Sequence, residues 1–318
     1  MTLLDQILPQ EDRKRQWVAI GITVLIAGLM TAYGIYWQGD YGMGLFFLTP
    51  LFIGAAPTLL YGYNRPIASI KSVRLGFIAL GVFTLWLILY AIEGLICIAM
   101  VAPLGLLMTW IGAMIGYALH QKNANDTPTE LLILIMLIPT LGFVEKNIPP
   151  SITSVVTSID IAAAPSAVWK NVVAFPQLDE PTEWLFKTGI AYPINAEIAG
   201  TGVGAVRHCN FTTGSFVEPI TVWDEPRLLG FDVKAQPAPM KELSFWDIDA
   251  PHLHDYFVSK KGQFKLTELP NGHTRLEGTT WYYHNIKPAF YWSWWSDLIV
   301  HKIHERVLKH IKVNSEKG

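Results

Sequence analysis

A run of some twenty apolar residues without a charge leaves a chain few options, because a helix that is apolar on every face needs a membrane or the heart of a large core around it. Trp17 to Trp37 is such a run. It has about the 20 residues that cross a bilayer, and Trp17, Tyr36 and Trp37 stand where interfacial aromatics belong. Arg13, Lys14 and Arg15 precede it as in a signal peptide. The run is too long for that, lacks a small-residue cleavage site, and is followed by more of the same.

A second run covers about 43–63, with Pro50 and Pro57 as kinks that membrane helices tolerate. The chain is apolar again across 75–119, broken only at Glu93-Gly94. Two spans, 74–92 and 95–119, with a tight turn at Glu93 are the economical reading. The alternative leaves a carboxylate in hydrocarbon, where it would imply function. A fifth run, 131–147, is shorter and holds Pro139; it reads as a thin span or an interfacial segment. Residues 1–150 are thus expected to form an all-α transmembrane bundle of four to five spans in a membrane of the bacterial plasma-membrane type.

Basic residues orient it. Arg13, Lys14 and Arg15, then Arg65, Lys71 and Arg74, then Lys122 lie on one side, while the connections 38–42 and 93–94 carry none. The positive-inside rule puts the N-terminus in the cytoplasm. Residues 151–318 are then outside if the fifth run spans, and cytoplasmic if it does not.

The net charge of −2 and the lack of a Lys/Arg-rich tract give no expectation of a nucleic-acid partner. Cys97 and Cys209 lie in different halves without a CxxC partner, and no cofactor motif is present.

After Pro149-Pro150 the pattern changes to alternation. Strands are expected at 154–161, 194–198, 205–212, 216–223, 228–233, 258–269 and 275–283, with short helices opening at Pro165 and over 182–187. From Pro288 to about Asn314 there is no further Pro or Gly. Ile299, Val300, Ile303, Val307 and Ile311 make one apolar stripe, with Lys302, Glu305, Arg306 and Lys309 opposite. Strands segregated from helices predict an α+β domain over 151–318, a curved antiparallel sheet of about seven strands around the long C-terminal helix.

Four segments, IDIAAAPSAVWKNV, GTGVGAVRHCNF, VWDEPRLLGFDV and TRLEGTTWYY, resemble the START-like or SRPBCC superfamily, whose helix-grip fold is shared with Bet v 1-type proteins. The resemblance is to its polyketide cyclase or dehydrase-like members and covers about 153–313. It implies a cavity between sheet and helix for an apolar or amphipathic small molecule such as a lipid, and no shared catalytic residues. Function must come from the site.

Strand alternation proposes who faces that cavity. With Phe264, Leu266, Phe231, Val233, Ile220, Val222 and Val206 setting the inner parity, the polar residues on it are His208, Asn210, Glu218, Thr280 and Tyr282, joined by His304 from the helix. A short turn places Glu218 opposite His208 or Asn210, so His208 and Glu218 are the candidate acid and base of a cyclase or dehydratase. The bland alternative is a satisfied polar pair in a binding module, or a module whose cavity is filled by its own side chains.

A weaker metal reading joins His252 and His254 to Asp297, His301 and His304, at i, i+4 and i+7 of the helix, without matching an established zinc signature. Trp281, Tyr282, Tyr283, Phe290, Tyr291, Trp292, Trp294 and Trp295 point to several sides, so they divide between core and a cavity mouth or headgroup layer.

Overall fold

The computed structural model describes residues 3–39, 41–122, 127–145 and 148–317. They form two units. The first comprises Met1–Pro149 with two later pieces, Leu243–Pro251 and Ile286–Pro288; the second holds Pro150–Glu242, His252–Asn285 and Ala289–Gly318.

The first unit is helical: α1 (Leu3–Ile7), α2 (Asp12–Ala32), α3 (Thr49–Gly62), α4 (Ser69–Leu89), α5 (Leu95–Lys122) and α6 (Thr127–Glu145), with π-helical turns at Tyr33–Gln38 and Gly44–Leu48. Four helical stretches, Asp12–Gln38, Gly44–Gly62, Ser69–Leu89 and Leu95–Lys122, are long and apolar enough to cross a membrane. The Glu93-Gly94 break is a turn between α4 and α5, so the carboxylate lies off both helices. The expected fifth run is α6; residues 146 and 147 of that expectation lie outside the described residues.

α3 is the centre of the bundle, with every residue but Leu51 buried. Its approach to α5 depends on glycine. A Cβ at Gly54 would stand 2.1 Å from the Thr109 carbonyl oxygen, and one at Gly112 would stand 2.1 Å from that of Leu51. Such close backbone contact at small residues is the packing expected of helices that cross a membrane.

Different side chains tie the two ends of the bundle. At one end Arg15 Nε donates to the Tyr61 carbonyl at 2.9 Å, Arg65 reaches the Gln10 carbonyl, Lys71 Nζ meets Gln16 Oε1 at 3.1 Å, and the His120 ring packs against Gly62. At the other, the Met43 N–H donates to Glu145 Oε2 at 2.8 Å and Lys287 Nζ to the Glu145 carbonyl at 2.7 Å.

The second unit contains β1 (Thr153–Ile161), α7 (Pro165–Val173), β2 (Pro193–Ala199), β3 (Val206–Phe211), β4 (Gly214–Asp224), β5 (Leu228–Asp232), β6 (Phe257–Glu268), β7 (Thr274–His284) and α8 (Ala289–Lys317). The helical piece expected over 182–187 is a single 3-10 turn, Trp184–Thr188. The strands make one antiparallel sheet in the order β1-β7-β6-β5-β4-β3-β2. It curls around α8, giving the helix-grip arrangement that the alternation pattern predicts.

α8 buries Val300, Val307, Leu308 and Ile311. Leu308 joins the stripe, while Ile299 and Ile303 are half-buried at its margin. The helix, α7 and the inner sheet face share one core that includes Val168, Trp169, Leu229, Leu266, Leu276 and Ile311. Gly262 is required at its place, because a Cβ there would lie 2.6 Å from the Phe231 ring, which rests on the bare backbone.

Candidate functional site

Arg207 and Cys209 on β3, with Ala205 just before it, make the inner face there, all three buried. The pairing opposes Arg207 to Glu218 and Cys209 to Phe216 across β4, and Ile198 to Arg207 across β2. Arg207 therefore lies on the inner face of the sheet, with Ile198 on one side and Glu218 on the other. Its guanidinium donates from Nη1 to Glu218 Oε2 and from Nε to the Val173 carbonyl at the end of α7, 3.2 Å away. Phe175, Phe231 and Phe264 surround it, their ring centres 5.5, 5.5 and 5.6 Å from the guanidinium carbon, within cation–π range. The two charged side chains are 2% and 8% exposed, so the pair is out of water.

Burial pushes the Glu218 carboxyl above its ordinary range, against the pull of Arg207. Burial alone would lower Arg207, and the facing carboxylate more than offsets it, so the guanidinium stays charged. The Cys209 thiol is pushed up to about 12 by burial, with Glu218 adding to the effect. It is no nucleophile at neutral pH.

A second polar group lies where α8 crosses β1 and β7. His304 is held at both nitrogens: Nε2 is 2.8 Å from Thr280 Oγ1 and Nδ1 is 3.1 Å from Thr157 Oγ1. Thr157 also meets His301 Nδ1 at 2.8 Å. Tyr282 donates its hydroxyl to Asp297 Oδ1 at 2.6 Å. Burial, with His301 adding, lowers the His304 pKa to about 4, so the ring is neutral at physiological pH. Burial and the bond to Asp297 raise that of Tyr282, which keeps its proton.

The structure thus gathers Glu218, Phe231 and Phe264 around Arg207, places Ile220 in the same core, joins Thr280 to Thr157 through His304, and sets Tyr282 apart with Asp297. It does not place His208 and Asn210 with them. His208 opposes Val217 on the other face of β3, and Asn210 bonds there to Asn195 at 2.6 Å and to Ser215. The expected parity of β3 is one residue out: Arg207, not His208, is bonded to Glu218, and His208 acts on that carboxyl only as a nearby charge. Val222 is likewise exposed, because a register shift after Ile220 turns it outward and Trp223 inward.

The helix residues of the metal reading do not form a ligand group: among the described residues Asp297, His301 and His304 do not converge, and their bonds run to Tyr282, Thr157 and Thr280. His252 Nε2 instead stands 3.7 Å from Glu242 Oε1, and His254 is exposed on its loop.

Arg207 and Thr157 escaped the sequence reading. The signal for Arg207 was present: Ala205, Cys209 and Phe211 share its parity and outnumber Val206, whose apolar side chain had set the opposite choice.

No family model and no curated protein matches the chain. Solved structures do match part of it. Truncated norcoclaurine synthase from Thalictrum flavum is 14% identical over 52% of this chain and 94% of its own, with a TM-score of 0.34. A structural-genomics protein from Nitrosospira multiformis is 16% identical over 51% and 94%, at 0.33. The Aha1 dimer from Colwellia psychrerythraea is 15% identical over 52% and 99%, at 0.31. Likeness this distant says nothing of activity, so chemistry must be argued from the side chains. A permanent cation with a carboxyl partner, set among aromatic rings, is chemistry suited to an anionic or hydrogen-bond-accepting group. It offers no nucleophile.

Proposed function

We propose that the chain is a membrane-anchored helix-grip protein that binds an amphipathic, acid-headed molecule drawn from the bilayer. The observation that carries this reading is the buried Arg207–Glu218 pair inside an otherwise aromatic interior. A buried ion pair is weak evidence for stability, since apolar residues of the same volume often do as well, so its presence here fits recognition. An incoming carboxylate would take the guanidinium while Glu218, already raised by burial, accepts a proton; charge then balances inside the grip. Thr280, Tyr282 and His304 supply a second, neutral polar surface.

A second reading has support from the same residues. Arg207 is fully engaged by Glu218, Val173 and three Phe rings, as expected of a packed core in a non-catalytic interaction module. Cyclase or dehydratase chemistry loses its basis with the His208–Glu218 pair.

For topology, the basic connections mark the cytoplasmic end of the bundle. α5 ends there at Lys122, α6 follows within five residues, and α6 finishes at Glu145, bonded to Met43 at the opposite end. We take α6 as a fifth crossing, which delivers residues 148–318 to the non-cytoplasmic side. Native mass spectrometry of the detergent-extracted chain tests the binding reading. An acidic amphipath of defined mass should accompany the protein, and a bare chain under conditions that retain bound lipid would favour the packed-core reading.

A further inference from the structure

The connection between β5 and β6 carries the stretch Leu243-Ser-Phe-Trp246, and its packing is unexpected. Leu243–Pro251 belongs with the helices of the first unit, although sheet strands flank it in sequence. Its tie to them is a backbone bond: the N–H of Leu95, first residue of α5, donates to the Leu243 carbonyl at 3.0 Å. Ile248 and Ala250 are buried and hold the segment. A second local bond, from the Trp246 N–H to Ser244 Oγ at 3.1 Å, shapes the turn between them.

What the segment presents is apolar. Phe245 is 91% exposed, Trp246 54% and Leu243 45%. Exposed large rings side by side are rare on a surface bathed in water. The bond to Leu95 fixes their depth. α5 has 28 residues, roughly 42 Å of helix, which matches the ~40–45 Å of a bilayer with its headgroups. Its first residue therefore sits in the headgroup layer. Leu89, Tyr90 and Leu95 are exposed around the same turn, and Tyr36 and Trp37 at the same end of the bundle. Asp247 and Asp249, also exposed, follow immediately and suit the aqueous side.

We propose that Leu243–Trp246 is an interfacial anchor, its leucine, phenylalanine and tryptophan seated at the headgroup–acyl boundary of the leaflet that α5 enters. The occupant of this apolar patch is lipid, because the patch belongs to the end of a membrane-crossing helix and carries no basic group for an anionic protein partner. The inference rests on the reading of the bundle as membrane-spanning.

The test is nitroxide depth in proteoliposomes. Phe245→Cys, Trp246→Cys, Leu29→Cys on the outer face of α2, and Asn271→Cys at the β6–β7 turn are each made in full-length Cys97→Ala protein and spin-labelled. Cys209, buried with an unreactive thiol, stays in place. At 245 and 246 the ratio of oxygen to water-soluble nickel collisions should be several-fold above that at 271. Water-like ratios at 245 and 246 with a lipid-like ratio at 29 would overturn the anchor while leaving the bundle intact. Water-like ratios at all four would overturn the membrane reading itself. Exclusion of both reagents at 245 and 246 would mean a protein cover and would also overturn the anchor.

Discussion

Glu218→Ala alone lowers the stability of the sheet unit by about 3–5 kcal/mol, whereas Arg207→Met with Glu218→Leu leaves it near wild type or above. The asymmetry follows from desolvation. Removing one partner strands a charge that has already left water, with the Val173 carbonyl, the Cys209 thiol and aromatic faces around it. Removing both substitutes apolar volume for apolar surroundings, next to Phe175, Phe231 and Phe264. Arg207→Ala should resemble Glu218→Ala, softened because Glu218 can take up a proton. Urea-dependent pulse proteolysis of the detergent-held chain, following cleavage within residues 150–317, reads the difference. A double variant as damaged as the single ones would make the pair a structural keystone and remove the argument that it is kept for recognition.

Acidification should unfold the same unit through His304. Its folded pKa, about 4, lies below the ordinary 6.5, so the unfolded chain binds the extra proton first. Stability is fully present above pH 6.5 and falls as pH drops towards 4, by up to ~3 kcal/mol. The ring is faced by Thr157 and Thr280, which do not titrate, and by His301; Asp297 is bonded to Tyr282, and Glu305 is shared among Lys302, Lys309 and His301. Glu218 acts in the opposite sense, because its raised pKa lets the folded state take up a proton first. The readout is therefore the difference between wild type and His304→Gln across pH 4 to 7. The wild type should show the steeper loss, and parallel curves would show that His304 does not govern acid sensitivity.

The fold was legible because its signals are long and redundant. The uncharged runs, the terminal helix without Pro or Gly, and seven alternating strands each repeat one message many times over. The site was legible only where alternation was unbroken. Beyond the shift at Ser259–Lys261, β6 and β7 pair in continuous register, and Phe264, Thr280 and Tyr282 lie inside. In β3 the decision rested on six residues in which Val206 and Arg207 compete. Ordinary expectation sends the arginine outward, because an unpaired buried guanidinium is costly. Only the carboxylate opposite, set by a register that single-strand patterns do not encode, makes the inward choice stable. In β4 the shift after Ile220 reversed Val222 for the same kind of reason: bulges change parity and leave little trace in composition.

The most direct measurement compares two probes that differ only in headgroup, a long-chain carboxylate and the matching long-chain alcohol, titrated onto the detergent-purified full-length chain. The Arg207 interior should favour the carboxylate by roughly 10- to 100-fold, the range of a charge-assisted hydrogen bond of ~1.5–3 kcal/mol. In the Arg207→Met, Glu218→Leu protein the preference should vanish while the alcohol still binds. Equal affinity for both probes in the wild type, or a carboxylate preference that survives the double substitution, would contradict a recognition role for Arg207.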